Sequence, residues 1–409
     1  MKILMAHKFF YYGAGADKYF LDLAKLMESH GHQVIPFAMK HPRNLESAYS
    51  DYFVSQWDYD ATGLTTRMRN AFRLVHSFEA ANAIEKLIAD TRPEVAHLHH
   101  IYHQLSSSVI HPLARAGIPI VQTVHDYRLV CPNYKLFNPR TGQACSKCLG
   151  HKYYHAIFER CHKDSMLAGL VGCAESYWTY LTQVYSRKIS RFTVSNEHLK
   201  DKLLRYGISP ERIEILPNFV DSRAYVPHIA SDGYVLYFGR LSAEKGVSNL
   251  IRAMEPLPNL QLKIVGDGDQ RADLSIYVKE HNLSNVQFLG PAWDEDLKPI
   301  LANAMFVVMP PVWPENSPFV IYQSFAAGKP VIASRVGGIP NLIADGVDGL
   351  LYDAQDVDAL TEKMRFLAER PGLIREMGRS ARTKAEREYD PEGHYRKMLD
   401  VYEGVLRRE

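Results

Sequence analysis

Along the chain, short apolar runs alternate with stretches whose apolar residues recur every three or four positions. The first pattern predicts strands and the second amphipathic helices. "KILMAH" (2–7), "QVIPFA" (33–38), "EVAHLH" (94–99), "IPIVQTVHD" (118–126) and "RFTVS" (191–195) read as strands, and "ERIEILPNFVD" (211–221) as a strand and turn. In "ADKYFLDLAKLMESHGH", Phe20, Leu23, Ala24 and Met27 share a helical face, and Gly31 is placed to end the helix. The alternation restarts at "DGYVLYFGRL" (232–241). It runs on through "LQLKIVG" (260–266), "VQFLG" (286–290), "FVVMPP" (306–311), "PVIAS" (330–334) and "GLLYD" (349–353). Such alternation builds parallel sheets, so the predicted fold class is α/β. The break near 206–232 divides the chain into two doubly wound, Rossmann-like domains, 1–205 and 206–385, facing an interdomain crevice. Over 386–409 a closing helix is predicted: Asp390 caps it, Pro391 takes the first helical position, and Tyr395, Met398, Leu399 and Tyr402 share a face.

Composition narrows this picture only a little. With 409 residues, 46% of them hydrophobic and 23% charged, the chain can bury two cores. A formal net charge of +2 is too small to imply a general polyanion-binding surface, so nucleic acid is not an expected partner. The first twenty residues lack the apolar core of a secretory signal, and no apolar run is long enough to span a bilayer. A cytoplasmic protein is expected, with peripheral contact at the inner membrane face as an open alternative.

The candidate chemistry sits in the loops after strands. "YYGAGADKY" carries Gly13 and Gly15 before a helix. The third glycine of a dinucleotide fingerprint would fall on Lys18, and "AMKHP" offers no acid for a ribose, so NAD is not indicated. The two glycines are either a bare turn or a close backbone approach to phosphate or sugar. "FGRLSAEKG" places Arg240 and Lys245 where open sheets bind ligands, a fork and a point charge suited to a diphosphate. "TVHDYRLVCP" sets His125 and Asp126 at a strand's carboxyl end. In "PENSPFVIYQSFAAGKP", Glu315 can accept from sugar hydroxyls, and the N–H groups near Ser317, Phe319 and Val320 open a helix toward an anion. Gln323 follows on that helix and can meet a ribose without charge.

Five cysteines are present, an odd number that argues against a disulfide framework. Cys131, Cys145, Cys148 and Cys161 include one C-x-x-C of zinc spacing, so a structural zinc site stands against reduced, unligated thiols. Lys147, Lys152, Arg160 and Lys163 mix with His151, Tyr153, Tyr154 and Phe158. They form either a solvated face or a surface for anionic lipid or a lipid-diphosphate acceptor.

In combination, "GRLxxEKG", "VGDGD", the Glu315 stretch ending "AAGKPVIAS", and "GGIPNLI" resemble the retaining GT-B glycosyltransferase family that includes bacterial mannosyltransferases and sucrose synthase. "HLHHIYHQLSS", "TVHDYRLVCPN" and "ILPNFVD" resemble its members that build bacterial surface polysaccharides. The resemblance implies a GT-B fold and transfer of a hexose from a nucleoside-diphosphate sugar, UDP slightly ahead of GDP, to a glycan or lipid-linked acceptor. It assigns Arg240 and Lys245 to the diphosphate and Glu315 to hydroxyls of the donor sugar. Ser317, Pro318, Phe319 and Val320 would supply backbone amides, and His125 would stand beside the transferred sugar. Gly13, Gly15, Gly239 and Gly266 would line the donor. Where the family has a second glutamate this chain has Gln323, which implies altered nucleotide affinity. No cofactor is required for catalysis on this scheme. Asp267 and Asp269 are read as a loop rather than a metal site. Alternatives are a nucleotide-sugar epimerase of the same fold, a phosphorylase, or a binding protein with weakened catalysis.

Overall fold

The computed structural model describes residues 1–57, 73–102, 104–227 and 233–407. His103, inside one quoted motif, and Asp232, at the start of one predicted strand, lie outside these. Two compact units emerge. The first comprises residues 1–135, 146–216 and 394–409, and the second residues 136–145 and 217–393.

Strands β1 (Lys2–Ala6), β2 (Gln33–Phe37), β3 (Val95–Leu98) and β4 (Ile120–Val124) open the chain. A short hairpin follows, β5 (Phe137–Asn138) and β6 (Gln143–Ala144), and then β7 (Arg191–Val194) and β8 (Ile213–Ile215). The first unit holds a parallel sheet in the order β2-β1-β3-β4-β7-β8. The second holds β9 (Tyr234–Phe238), β10 (Gln261–Val265), β11 (Val286–Gly290), β12 (Phe306–Met309), β13 (Val331–Ser334) and β14 (Gly349–Tyr352). Its parallel order is β11-β10-β9-β12-β13-β14. Both sheets are flanked by helices, and most of their strands are buried along nearly their whole length, which is why they read as continuous apolar runs.

Register decides which side chains meet at the carboxyl edge. Ala6 pairs with Leu98, and Leu98 with Gln122, so His7 and His99 emerge side by side, with His125 one step beyond Val124. In the second sheet Phe238 pairs with Val265, which brings Gly239 and Gly266 together. The core of that unit lies on both faces of its sheet, around Leu236, Val307 and Phe325 on one and Ile264, Val308 and Met364 on the other.

Helix Gly15–Ser29 covers the first sheet with Phe20, Leu23, Ala24 and Met27, and Gly31 stands in a left-handed conformation just after it. The last helix, Pro391–Leu406, starts where the Asp390 carboxylate accepts from Gly393 N–H at 2.8 Å. From His394 on, it belongs to the first unit. There Tyr402 Oη lies 2.6 Å from His97 Nδ1, and the Tyr395 ring stacks on His30 at 3.6 Å between centroids. Among the described residues no helix is long and apolar enough to cross a membrane.

Candidate functional site

Second-unit candidates meet at the carboxyl ends of β9, β10 and β12. Lys245 Nζ is ion-paired with Glu315 Oε1. Glu315 is only 6% exposed, and Lys245 Nζ also lies 5.5 Å from the centre of the Trp313 ring. Two glycines make this approach possible. Gly246 has φ +68°, and a Cβ there would fall 2.0 Å from the Pro310 carbonyl oxygen. Gly337 has φ +56°, and its Cβ would fall 2.1 Å from the Glu315 carbonyl oxygen. That carbonyl accepts from Gly338 N–H at 2.7 Å, and Val312 N–H donates to the Glu244 carbonyl at 3.0 Å. The glycines thus let three loops touch through backbone, and Lys245 and Glu315 are carried into contact.

Arg240 is exposed at the end of β9, its carbonyl accepting from Tyr237 Oη at 2.8 Å. Gly239 N–H donates to the Val265 carbonyl at 3.0 Å, and Gly266 packs directly on the Gly239 carbonyl. Asp267 lies in this turn: its carbonyl accepts from Leu241 N–H at 2.9 Å and its carboxylate from Gly268 N–H at 2.8 Å.

Helix Phe319–Ala326 begins after Pro318 with no side-chain cap. The N–H groups of a first helical turn have no intrahelical partner, so those of Phe319 and Val320 are presented outward from the helix start. Ser317 just before them is held in place: its Oγ lies 2.7 Å from Tyr322 Oη, and Asn218 Nδ2 donates to its carbonyl and to its Oγ, each at 3.2 Å. Gln323 is buried, and its Nε2 donates to Tyr225 Oη at 3.2 Å.

First-unit candidates form a histidine network at the ends of β1, β3 and β4. His7 Nε2 donates to Asp17 Oδ1 at 2.8 Å, while its Nδ1 accepts from His100 N–H at 3.2 Å. These partners require the neutral Nε2–H tautomer, and burial lowers the His7 pKa accordingly. Asp17 also accepts from Ala14 N–H at 2.6 Å, which fixes the loop of Gly13 and Gly15. A Cβ on Gly13 would fall 2.6 Å from that same carboxylate, so Gly13 is where the loop closes on Asp17.

His125 Nε2 lies 3.0 Å from His99 Nδ1, and burial holds both imidazoles well below their ordinary pKa. His97 bridges Tyr402 and Thr123, and burial pushes it down to about 3. Burial has the opposite effect on Asp126, raising it to about 6 despite the Arg128 N–H at 2.9 Å and the opposing charges of Lys8 and Arg128. His100 Nε2 is 3.3 Å from the other Asp126 oxygen. Lys8 is itself pushed down by burial, against the pull of Asp126 and Asp17. Neutral His7, His99 and His125 therefore stand at this edge with Asp126, which titrates near 6, and with Asp17 and Lys8.

Lys8, Asp17, His99, Asn218 and Gly337 were not among the expected site residues. Lys8 and His99 had a readable signal, since Lys8 follows directly on one predicted strand and His99 ends another; the others required the folded chain. Among the described residues no group of three or more His, Cys, Asp or Glu side chains is arranged to hold a metal ion. The structure therefore does not gather Cys131, Cys145, Cys148 and Cys161 into such a group. Cys148 and Cys161 pack with Cys173, Tyr153 and Ala156 in an apolar cluster, and Cys131 Sγ lies 2.9 Å from Asn133 Oδ1.

Comparison with known proteins places these features in a family. The model "Glycosyltransferase Family 4" matches residues 13–223, and "Glycosyl transferases group 1" matches residues 222–384. The chain belongs to this glycosyltransferase family. The MMP alpha-(1->4)-mannosyltransferase of Mycolicibacterium hassiacum is 27% identical over 53% of this chain and 54% of its own length. The alpha-maltose-1-phosphate synthase of Mycolicibacterium smegmatis is 29% identical over 59% and 69%. A 42.6 kDa protein in the cps region of Klebsiella pneumoniae is 24% identical over 76% and 77%. The chain spans about half the length of the first curated relatives it matches, 54% and 41%. Among solved structures, the sucrose-phosphate synthase of Thermosynechococcus elongatus superposes with a TM-score of 0.74 at 18% identity, covering 100% of both chains. Anabaena HepE, solved with UDP and glucose, gives 0.69 at 17% identity, covering 99% of this chain and 100% of its own. The fold is GT-B.

Proposed function

We propose that the protein is a retaining hexosyltransferase. It moves a sugar from a nucleoside-diphosphate donor, UDP ranked ahead of GDP, to a hydroxyl of a glycan or lipid-linked acceptor in bacterial surface-polysaccharide synthesis, on the cytoplasmic side of the membrane. The observation that carries this reading is the Lys245–Glu315 ion pair, close in sequence to the uncapped start of helix Phe319–Ala326. A buried carboxylate, a cation and outward N–H groups are the chemistry that sugar hydroxyls and a diphosphate require. The mannosyltransferase and maltose-1-phosphate synthase relatives support a hexosyl donor.

In this reading Arg240, Lys245 and the amides of Phe319 and Val320 stabilise the leaving diphosphate. The bond from C1 to the phosphate oxygen breaks, the acceptor oxygen bonds to C1 on the same face, and its proton passes to the departing phosphate. The residues contribute preorganised charge and positioning rather than a covalent step. Glu315 holds donor hydroxyls and, through the ion pair, Lys245. His125 is assigned to the transferred sugar, where its neutral ring offers a dipole instead of a charge. NMR of the product tests the stereochemistry: the donor's anomeric configuration is expected, and its inversion would overturn retention.

A further inference from the structure

Helix Met166–Leu181 of the first unit has its apolar face turned outward. Its buried residues are Gly169, Gly172, Cys173, Glu175, Ser176 and Thr179, all small or polar. On the opposite side run Leu167, Leu170, Ala174, Trp178 and Leu181, which at 3.6 residues per turn fall within an arc of about 80°. Leu167, Leu170, Trp178 and Leu181 are 56%, 51%, 46% and 75% exposed. A helix that packs on a core and faces water carries the reverse pattern.

Packing locks this orientation. A Cβ on Gly169 would fall 2.5 Å from the Ala156 carbonyl oxygen, and one on Gly172 would fall 3.3 Å from Pro132 Cβ. The Glu175 carboxylate is ion-paired inside with Arg128. Turning the helix over would force leucine and tryptophan into gaps sized for glycine. The neighbouring short helix His155–Phe158, whose Ala156 meets Gly169, carries a further exposed aromatic, Phe158, 70% exposed.

Charge indicates the occupant. Residues 146–191 hold seven Lys and Arg against three Asp and Glu, a net of +4, twice the +2 of the whole chain. Of the three acids, Glu175 is buried on Arg128 and Glu159 is paired with Lys147. Exposed Arg160 stands at one end of the stripe, its Nη2 3.6 Å from Met166 Sδ, and exposed Arg187 follows the other end. A second copy of the chain would bring like charge against like charge.

We propose that this face rests on an anionic lipid bilayer. The leucine and tryptophan stripe, roughly 21 Å long at 1.5 Å per residue, lies in the boundary between headgroups and acyl chains, with the basic residues on the headgroups. Binding of this kind is independent of the transfer reaction, so its failure leaves the proposed activity standing.

Flotation of the full chain with vesicles tests it, using phosphatidylcholine alone or mixed with phosphatidylglycerol. The chain is expected to bind the mixed vesicles at least about tenfold better than the neutral ones. Leu170→Glu/Leu181→Glu should lower that binding at least about tenfold with an unchanged Tm, since both side chains are exposed. Brominated lipid should quench Trp178, and Trp178→Phe should remove that part of the quenching. Absence of binding to anionic vesicles, or equal binding by the leucine variant, would overturn the proposal. Sedimentation showing a dimer that the leucine variant breaks would also overturn it, by giving the stripe to a second copy.

Discussion

Lys245 Nζ and the Glu315 carboxylate form an ion pair although the two residues stand 70 positions apart in the chain. The lysine comes from the loop after β9 and the glutamate from the loop after β12. Glu315 is nearly buried while Lys245 keeps some access to solvent. Each residue therefore depends on the other for its position. Lys245→Ala and Glu315→Ala should each lower turnover at least ~100-fold, the scale of removing one preorganised stabilising group. Because they act as a unit, the double variant should lose little more than the worse single one. Steady-state kinetics of the three variants checks both statements; independent, multiplying losses would separate the two roles.

Gly337 is a backbone requirement for that pairing. Its positive φ and the 2.1 Å approach to the Glu315 carbonyl leave no room for a methyl group. Gly337→Ala should destabilise the chain by at least about 2 kcal/mol and reduce turnover by displacing Glu315. Denaturant unfolding measures the first effect. A variant of native stability would show that the loops separate without cost.

On the proposed function, Gln323 tunes donor affinity. Its amide donates to Tyr225 Oη within a buried setting, so Gln323→Glu exchanges that donor for an acceptor and adds a charge there. The apparent KM for the donor should change more than kcat. A fall in kcat with KM unchanged would place Gln323 beside the reacting atoms instead.

Burial holds His7, His97, His99 and His125 neutral. A histidine whose folded pKa is depressed contributes stability that is present above its unfolded value near 6.5 and is lost as pH falls below it. Each contributes a slope of up to about 1.4 kcal/mol per pH unit. Asp126, raised to about 6, works the other way: its contribution is lost as pH rises through 6 and returns below it. Four depressed histidines outweigh one raised aspartate, so Tm should drop between pH 6.5 and pH 4.5, and His97→Gln should flatten that drop. Thermal melts across this range provide the check; a Tm that rises on acidification would contradict the assigned protonation states.

Much of this architecture was readable before folding, for a physical reason. All twelve strands of the two sheets fall on predicted apolar runs, because parallel strands covered on both faces must be apolar throughout. Arg240 and His125 could be picked out because they stand at the carboxyl ends of such runs, and Lys245 and Glu315 because they stand in the loops that follow them. The ion pair could not, since it is created by Gly246 and Gly337 letting distant loops touch. The histidine network was hidden for a similar reason: it depends on the register that aligns Ala6 with Leu98 and Leu98 with Gln122. Helix Met166–Leu181 escaped because its glycines face inward and its leucines outward, which defeats a reading based on a buried apolar stripe. The hairpin of β5 and β6 has two-residue strands, too short to leave a period.

Turnover of a bound nucleoside-diphosphate sugar is what the proposed function requires of this chain. A panel of UDP- and GDP-hexoses, scored for binding by calorimetry and for slow hydrolysis by release of the nucleoside diphosphate, tests it most directly. At least one donor is expected to bind and to be hydrolysed, with both signals reduced in Lys245→Ala. If the folded wild-type chain bound none of them and released no nucleoside diphosphate, the account would be contradicted.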